Sequence, residues 1–325
     1  MKKIAVFTSG GDAPGMNACV RAVVRTAIYY GAEAVGIRRG YQGMIENDLQ
    51  EMQSSSVSNI IQKGGTILGT ARSKEFMTVE GRTKAYANLK ALGVEGVIAI
   101  GGDGTFTGAD VFMREYPDIN FIGLPGTIDN DLYGTDLTIG YDTAINTAME
   151  ALDKIKDTAD SHSRLFFVEV MGRDAGFIAV RSGIASGAEA ILIPETPTTT
   201  EELAAILTNN FNKKKRSSIV VVSEGDELGG AYKVAEAVKP LIPYDDIRVT
   251  VLGHVQRGGS PTCMDRVLAS RLGIAAVEAI LAGKKGLMIG LQNNRISEVP
   301  FDQAIKHNQA IKPHLQQMMD ILCHV

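Results

Sequence analysis

The sequence predicts an α/β protein in which mainly parallel sheets are flanked by helices. Three observations predict it. Short apolar runs recur along the 325 residues, helical periodicities lie between them, and the stretches after the runs are rich in glycine and charge.

The runs occupy 4–7, 97–100, 121–124, 165–168, 219–222 and 249–252. Each is apolar on consecutive positions, which predicts strands covered on both faces. Helical spacing marks 15–30, 81–92, 140–159, 201–213 and 262–282. In the first, Val20, Val23, Val24 and Ala27 share a face; in the last, Val267, Leu268, Leu272, Ala275 and Ala276 do. The stretch 194–200 reads as a turn and a helix cap before Glu201 and Glu202. At about 150 residues per domain the length suggests two domains, each with its own core. No linker marks a boundary, so interwoven and sequential lobes are both open.

Thirty-three basic residues against 37 acidic ones give a net charge of −4, and 45% of residues are hydrophobic. This composition excludes disorder, a collagen-like chain and a generally basic nucleic-acid binder. Cys19, Cys263 and Cys323 are too scattered for a disulfide framework or a zinc site, which fits a reducing compartment. No run approaches the about 18 apolar residues of a membrane helix. The apolar run after Met1-Lys2-Lys3 is shorter than the about 7 residues of a secretory core. A soluble, cytoplasmic protein without membrane or nucleic-acid partners is expected. Glycine is the informative excess, 35 residues where a typical chain has ~7%.

Ligands of open α/β sheets bind beyond the carboxyl ends of the strands. The first run is followed by Thr8-Ser9-Gly10-Gly11-Asp12-Ala13-Pro14-Gly15, and the second by Gly101-Gly102-Asp103-Gly104-Thr105. Two glycine loops that open helices point to phosphate, because backbone N–H groups and the helix dipole can face one anion. Neither is a P-loop, since Gly-Lys-Ser/Thr is absent. Thr107 stands where a dinucleotide loop needs its third glycine, which argues against a nicotinamide dehydrogenase. Asp103 either holds Mg²⁺ against phosphates or is a carboxylate favoured by a helix dipole.

The third run leads to Pro125-Gly126-Thr127-Ile128-Asp129-Asn130-Asp131. Its two carboxylates share a face if the backbone is extended and need not in a turn; one can act as a base and the other orient it. Later segments carry Met171-Gly172-Arg173-Asp174, Glu224-Gly225 and His254-Val255-Gln256-Arg257. Arg164, Arg173, Arg248 and Arg257 lie near strand ends. Four near one expected edge of an acidic protein suggest anionic oxygens between them, which Arg binds in bidentate fashion. Two phosphate regions, a metal carboxylate and a base candidate together suggest a phosphoryl transferase.

These motifs, with Ser260-Pro261 after Gly259, closely resemble the bacterial ATP-dependent 6-phosphofructokinases, in order and over nearly the whole chain. The resemblance implies two similar lobes: 1–139 with 256–303 for ATP, and 140–255 with 304–325 for the sugar phosphate. It implies ATP and fructose 6-phosphate as substrates, Mg²⁺ as cofactor, and a role in glycolysis. Asp129 would take the proton of the sugar 1-hydroxyl, with Thr127 and Asp131 beside it. Gly11 would offer a backbone N–H, while Arg72 and Arg173 steady the phosphoryl charge and Asp103 serves Mg²⁺. Tyr41, Ser73, Gly102, Gly104, Thr105 and Gly108 match nucleotide contacts. Met171, Gly172, Glu224 and His254 match sugar-phosphate contacts, as do Arg164, Arg248 and Arg257. Arg164 and Arg248 would reach in from a neighbouring subunit of a homotetramer.

Pyrophosphate-using relatives carry Asp where this chain has Gly104 and Lys where it has Gly126, which favours ATP as donor. Arg21, Arg25, Lys156, Gly187, Glu189, Lys213 and Lys215 match an allosteric effector site of the family. Ser54 and Asn59 replace the charged residues of many relatives there, and Met77 lacks a basic side chain near the nucleotide, so feeble or altered allostery is expected. The competing readings are a pyrophosphate-dependent or NAD-kinase-like phosphotransferase and a non-catalytic sugar-phosphate sensor. The last is disfavoured because Asp103, Asp129 and Arg173 all remain.

Overall fold

The computed structural model describes residues 2–162, 164–213, 218–306 and 310–323. In chain order it begins with β1 (Lys3–Thr8), α1 (Met16–Tyr29), β2 (Glu33–Ile37), α2 (Gly40–Ile45), β3 (Leu49–Met52) and α3 (Val79–Ala91). It continues through β4 (Gly96–Gly101), α4 (Asp103–Glu115), β5 (Asn120–Pro125) and α5 (Tyr141–His162). Then come β6 (Leu165–Val170), α6 (Phe177–Ser186), β7 (Ala190–Leu192), α7 (Thr200–Asn212), β8 (Ser218–Ser223), α8 (Ala231–Val238) and β9 (Ile247–Val251). The chain closes with α9 (Cys263–Leu281), β10 (Leu287–Gln292), β11 (Arg295–Pro300), α10 (Phe301–Lys306) and α11 (Pro313–Cys323).

The chain divides into two compact units. One comprises Met1–Ile128, Leu132–Thr143 and Arg257–Gln309; the other comprises Asp129–Asp131, Ala144–Gln256 and Ala310–Val325. The units are interleaved in sequence. Apart from Asp129–Asp131, which group with the second unit, the breaks fall after 143, 256 and 309, where the sequence reading put them after 139, 255 and 303.

The first unit holds a seven-stranded sheet in the order β11-β10-β5-β4-β1-β2-β3. Pairing is parallel from β10 to β2 and antiparallel at both edges. β4 is buried along its whole length, and β1 and β5 at all but their first positions, so they read as unbroken apolar runs. On one face an aromatic core forms. Phe7, Tyr41, Phe76, Phe112 and Phe121 follow one another with ring centroids 3.9–5.9 Å apart. α1 and α9 pack closely, because Gly273 faces the Ala22 methyl with no side chain of its own.

The second unit holds a four-stranded parallel sheet, β7-β8-β6-β9. Leu165, Phe167, Leu203, Leu207, Val220 and Val234 form its core. The expected cap before Glu201 is present: Thr199 accepts the N–H of Glu202, whose carboxylate accepts the N–H of Thr199.

One expectation needs correction. β9 was read as covered on both faces, but none of its residues is fully buried. It is the edge strand of its sheet, and edges are commonly half solvated. No helix among the described residues is long and apolar enough to cross a membrane.

Candidate active site

Three segments of the first unit carry the residues expected to meet phosphate. The loop after β1 turns into α1 through Gly15, whose φ of 109° lies in the left-handed region. That conformation is open to glycine at little cost. The Arg257 guanidinium lies against Gly11, so close that a Cβ there would overlap Nη1, and Nη1 donates to the Asp12 carbonyl at 3.4 Å.

The loop after β4 starts α4 with Gly102 as N-cap, without a side-chain capping bond, and with Asp103 in the first turn. Asp103 and Gly104 are exposed. A Cβ at Gly102 or Gly104 would meet no atom within 4 Å, so nothing in the packing requires glycine at either place. Gly126 differs: a Cβ there would come 2.9 Å from the Ile100 side chain and 3.1 Å from that of Met16. Its glycine is demanded by packing, and of the two glycines expected to discriminate the donor only Gly104 is free of packing constraint.

The other nucleotide candidates fall into two groups. Tyr41 is a core residue, 7% exposed. Its ring stacks on Phe76 at 3.9 Å, its hydroxyl donates to the Thr105 carbonyl at 2.5 Å, and Gly108 faces the ring. Burial pushes the Tyr41 phenol well above its usual range. The exposed Arg72 and half-buried Ser73 lie in irregular chain; the Ser73 hydroxyl donates to Gln42 at 2.7 Å and accepts from the Phe76 N–H at 3.1 Å.

The second unit holds the base candidate. Asp129 is 1% exposed, and Oδ2 lies 3.3 Å from Nε of Arg173. Asn130 has φ 55°, which breaks the extended alternation. Asp129 is therefore buried while Asp131 is half-buried, and the shared face that an extended backbone would create does not form.

Arg173 itself sits at φ 52°, a conformation that costs a non-glycine residue about 1–3 kcal/mol. The turn is held from β8. Glu224 Oε1 accepts the N–H groups of Gly172 and Arg173, at 3.2 and 2.8 Å. Gly225 lies against the Arg173 carbonyl so closely that a Cβ would overlap it. Met171 is buried, and its N–H donates to Oε1 of the fully buried Gln256 at 3.3 Å. His254 is exposed beside it in the same single turn of helix.

The arginines do not share one edge, which corrects the sequence reading. Arg164 precedes β6, and Arg248 is the second residue of β9. Both lie at the amino ends of parallel strands, whereas Met171, Gly172 and Arg173 follow the carboxyl end of β6. A six-residue strand puts about 20 Å between those ends. Asp246 gathers the pair, 2.5 Å from Nε of Arg164 and 2.8 Å from Nε of Arg248. The hydrogen bond from Arg164, with both positive charges, holds the Asp246 carboxyl below its usual range. Sequence reasoning missed Asp246, Gln256 and the backbone role of Glu224; Asp246 stands two residues before Arg248, which was the available signal.

The effector candidates fall in both units. Arg21 is half-buried and Arg25 exposed on α1. Lys156 donates to the Ser186 carbonyl at 2.9 Å, beside the helix-ending Gly187. Glu189 accepts from Asn210 at 3.0 Å, Lys213 is exposed after α7, and Lys215 lies outside the described residues. No group of three or more metal-ligating side chains occurs among the described residues.

Fold and loops define an α/β protein whose strand ends carry glycine-rich loops and a buried carboxylate beside an exposed guanidinium. The phosphofructokinase family model matches residues 3–280. The chain is 57% identical over 319 residues to ATP-dependent 6-phosphofructokinase 2 of Bacteroides thetaiotaomicron, covering 98% of each. It is 55% identical over 322 residues to ATP-dependent 6-phosphofructokinase 1 of Thermus thermophilus, covering 99% of each. Phosphofructokinase from Saccharomyces cerevisiae superposes with a TM-score of 0.91 at 38% identity, over 99% of this chain and 48% of the yeast chain. The chain belongs to the phosphofructokinase family.

Proposed function

We propose that the chain transfers the γ-phosphoryl group of ATP to the 1-hydroxyl of fructose 6-phosphate, giving fructose 1,6-bisphosphate and ADP in glycolysis in the cytoplasm. The observation that carries this reading is the buried Asp129 carboxylate 3.3 Å from Arg173, in a chain aligned end to end with ATP-dependent 6-phosphofructokinases. Asp129 accepts the proton of the sugar hydroxyl as the new bond forms. Arg173 and Arg72 offset the charge on the phosphoryl oxygens, and the Gly11 N–H donates to one of them. Such transfer asks for position and charge and little covalent help. Thr127 and Asp131 orient the acceptor; Met171, Glu224, His254 and Arg257 hold the sugar phosphate.

Asp103 fits Mg²⁺. It is an exposed single carboxylate beside open space at Gly102 and Gly104, and Mg²⁺ on a nucleotide takes one or two carboxylates, the rest being phosphate and water. The ion, when bound, neutralises charge on the phosphates. Gly104 in open space favours ATP over pyrophosphate.

Arg164 and Arg248, at the far strand ends, serve the sugar phosphate of a neighbouring subunit in a homotetramer. Mixing Arg164→Ala chains with Asp129→Ser chains then restores activity that neither has alone; no recovery removes the shared site. Weak effector control is part of the same reading, since Ser54 and Asn59 lack the usual charges. The primary test is a coupled assay of ADP release. Release that depends on fructose 6-phosphate is expected, and turnover with pyrophosphate alone would replace ATP as donor.

A further inference from the structure

Asp265 is fully buried in the first turn of α9, and the reaction as read above gives it no role. Its carboxylate meets three donors. The Gly140 N–H reaches Oδ1 at 2.8 Å, and the N–H and hydroxyl of Thr143 reach Oδ2 at 2.8 and 2.5 Å. These donors belong to the start of α5, more than 120 residues away in sequence. The favour is returned: Thr262, the N-cap of α9, donates its hydroxyl to Asp142 at 2.6 Å and its N–H to the Thr143 hydroxyl at 3.0 Å. Two helix starts thus satisfy each other's unpaired N–H groups. A buried carboxylate is tolerated when its oxygens are filled in this way.

The segment pinned by this clamp touches the loop after β1 and the loop after β5. The Thr138 hydroxyl donates to the Thr127 carbonyl at 2.6 Å, and the Ile139 N–H donates to the Pro125 carbonyl at 2.8 Å. Gly140 abuts Ala13, where a Cβ would come 2.6 Å from the Ala13 methyl; a Cβ on Gly15 would come 2.8 Å from Ile139. One carboxylate therefore fixes the strip that supports the Thr127 backbone and the turn after Gly11.

We propose that Asp265 is a positioning residue for phosphoryl transfer, acting through segment 138–143 on Thr127 and on the Ala13–Gly15 turn. The inference rests on the phosphofructokinase reading above. Asp265→Asn places an amide N–H₂ against the Thr143 N–H and loses at least one bond. Thr138→Val cuts the link to the Thr127 carbonyl and leaves the clamp intact.

In the ADP-release assay on the full chain, Asp265→Asn is expected to lower kcat about tenfold or more, with KM for either substrate changed less than about twofold. Thr138→Val is expected to move kcat the same way. The double variant should lose less than the product of the two single effects, as residues on one path do. A passive structural residue would leave kcat per folded molecule unchanged. If Asp265→Asn does not yield folded protein, Thr138→Val alone decides, and a normal kcat overturns the proposal. Wild-type chain without turnover would overturn both this inference and the reading beneath it. An active wild type with unchanged kcat in the variants, or with single effects that multiply, would overturn the positioning role alone.

Discussion

Nε of Arg173 stands 3.3 Å from Oδ2 of Asp129, on a turn whose two N–H groups end on Glu224. A carboxylate 1% exposed is held beside a fixed positive charge before any proton moves. Asp129→Ser should lower kcat by about 10²–10⁴ with little change in KM for either substrate. Steady-state kinetics checks this, and a near-normal kcat would take the base role from Asp129.

Arg257 separates binding from donor effects. Its guanidinium lies on Gly11 and donates to the Asp12 carbonyl, while its proposed partner is the sugar phosphate. Arg257→Ala should raise KM for fructose 6-phosphate about tenfold or more and leave KM for ATP nearly unchanged. Equal rises would reassign Arg257 to the nucleotide loop.

Gly104 can be replaced without a steric conflict, because a Cβ there meets nothing within 4 Å. Gly104→Asp should therefore keep Tm while kcat/KM for ATP falls about tenfold or more, as an added negative charge repels a phosphate nearby. An unchanged kcat/KM for ATP would end the argument that this glycine selects the donor.

Asp265 links stability to pH. Burial raises its carboxyl to about 6 against the opposing donors Thr143 and Gly140, and the nearby Asp142 adds to the rise. The unfolded chain releases that proton at about pH 3.9. Between the two values the folded state holds more protons, so this group's contribution is complete below about pH 4 and is lost as pH rises through about 6. The sum is about 1–3 kcal/mol. The Tm difference between wild type and Asp265→Asn should move against wild type as pH climbs across that window. A constant difference would mean that Asp265 ionises normally.

The central strands were readable because they are buried on both faces. β1, β4, β5, β6 and β8 appear as apolar runs, and the long helices match their periodic segments within a few residues. β2, β3, β7, β10 and β11 are not among the apolar runs. β3 and β11 are half solvated and mixed in composition, β2 is interrupted by Gly36, β7 is only three residues long, and all five lie at or next to an edge. The β10–β11 hairpin turns at Asn293 and Asn294, both at positive φ, a tight-turn signal that asparagine supplies weakly compared with glycine.

The sequence by itself determined the class of fold, the glycine loops at strand ends and the residue types that meet phosphate, because periodicity and loop composition are local properties. Only the tertiary structure decided which side chains meet. It paired Arg173 with Asp129, put Arg164 and Arg248 at the opposite strand ends under Asp246, and brought Asp265 to the start of α5. Asp129–Arg173, Arg164–Asp246 and Gly140–Asp265 join residues 44 to 125 apart in sequence. They depend on how the chain closes its loops, and no local pattern of residues encodes that.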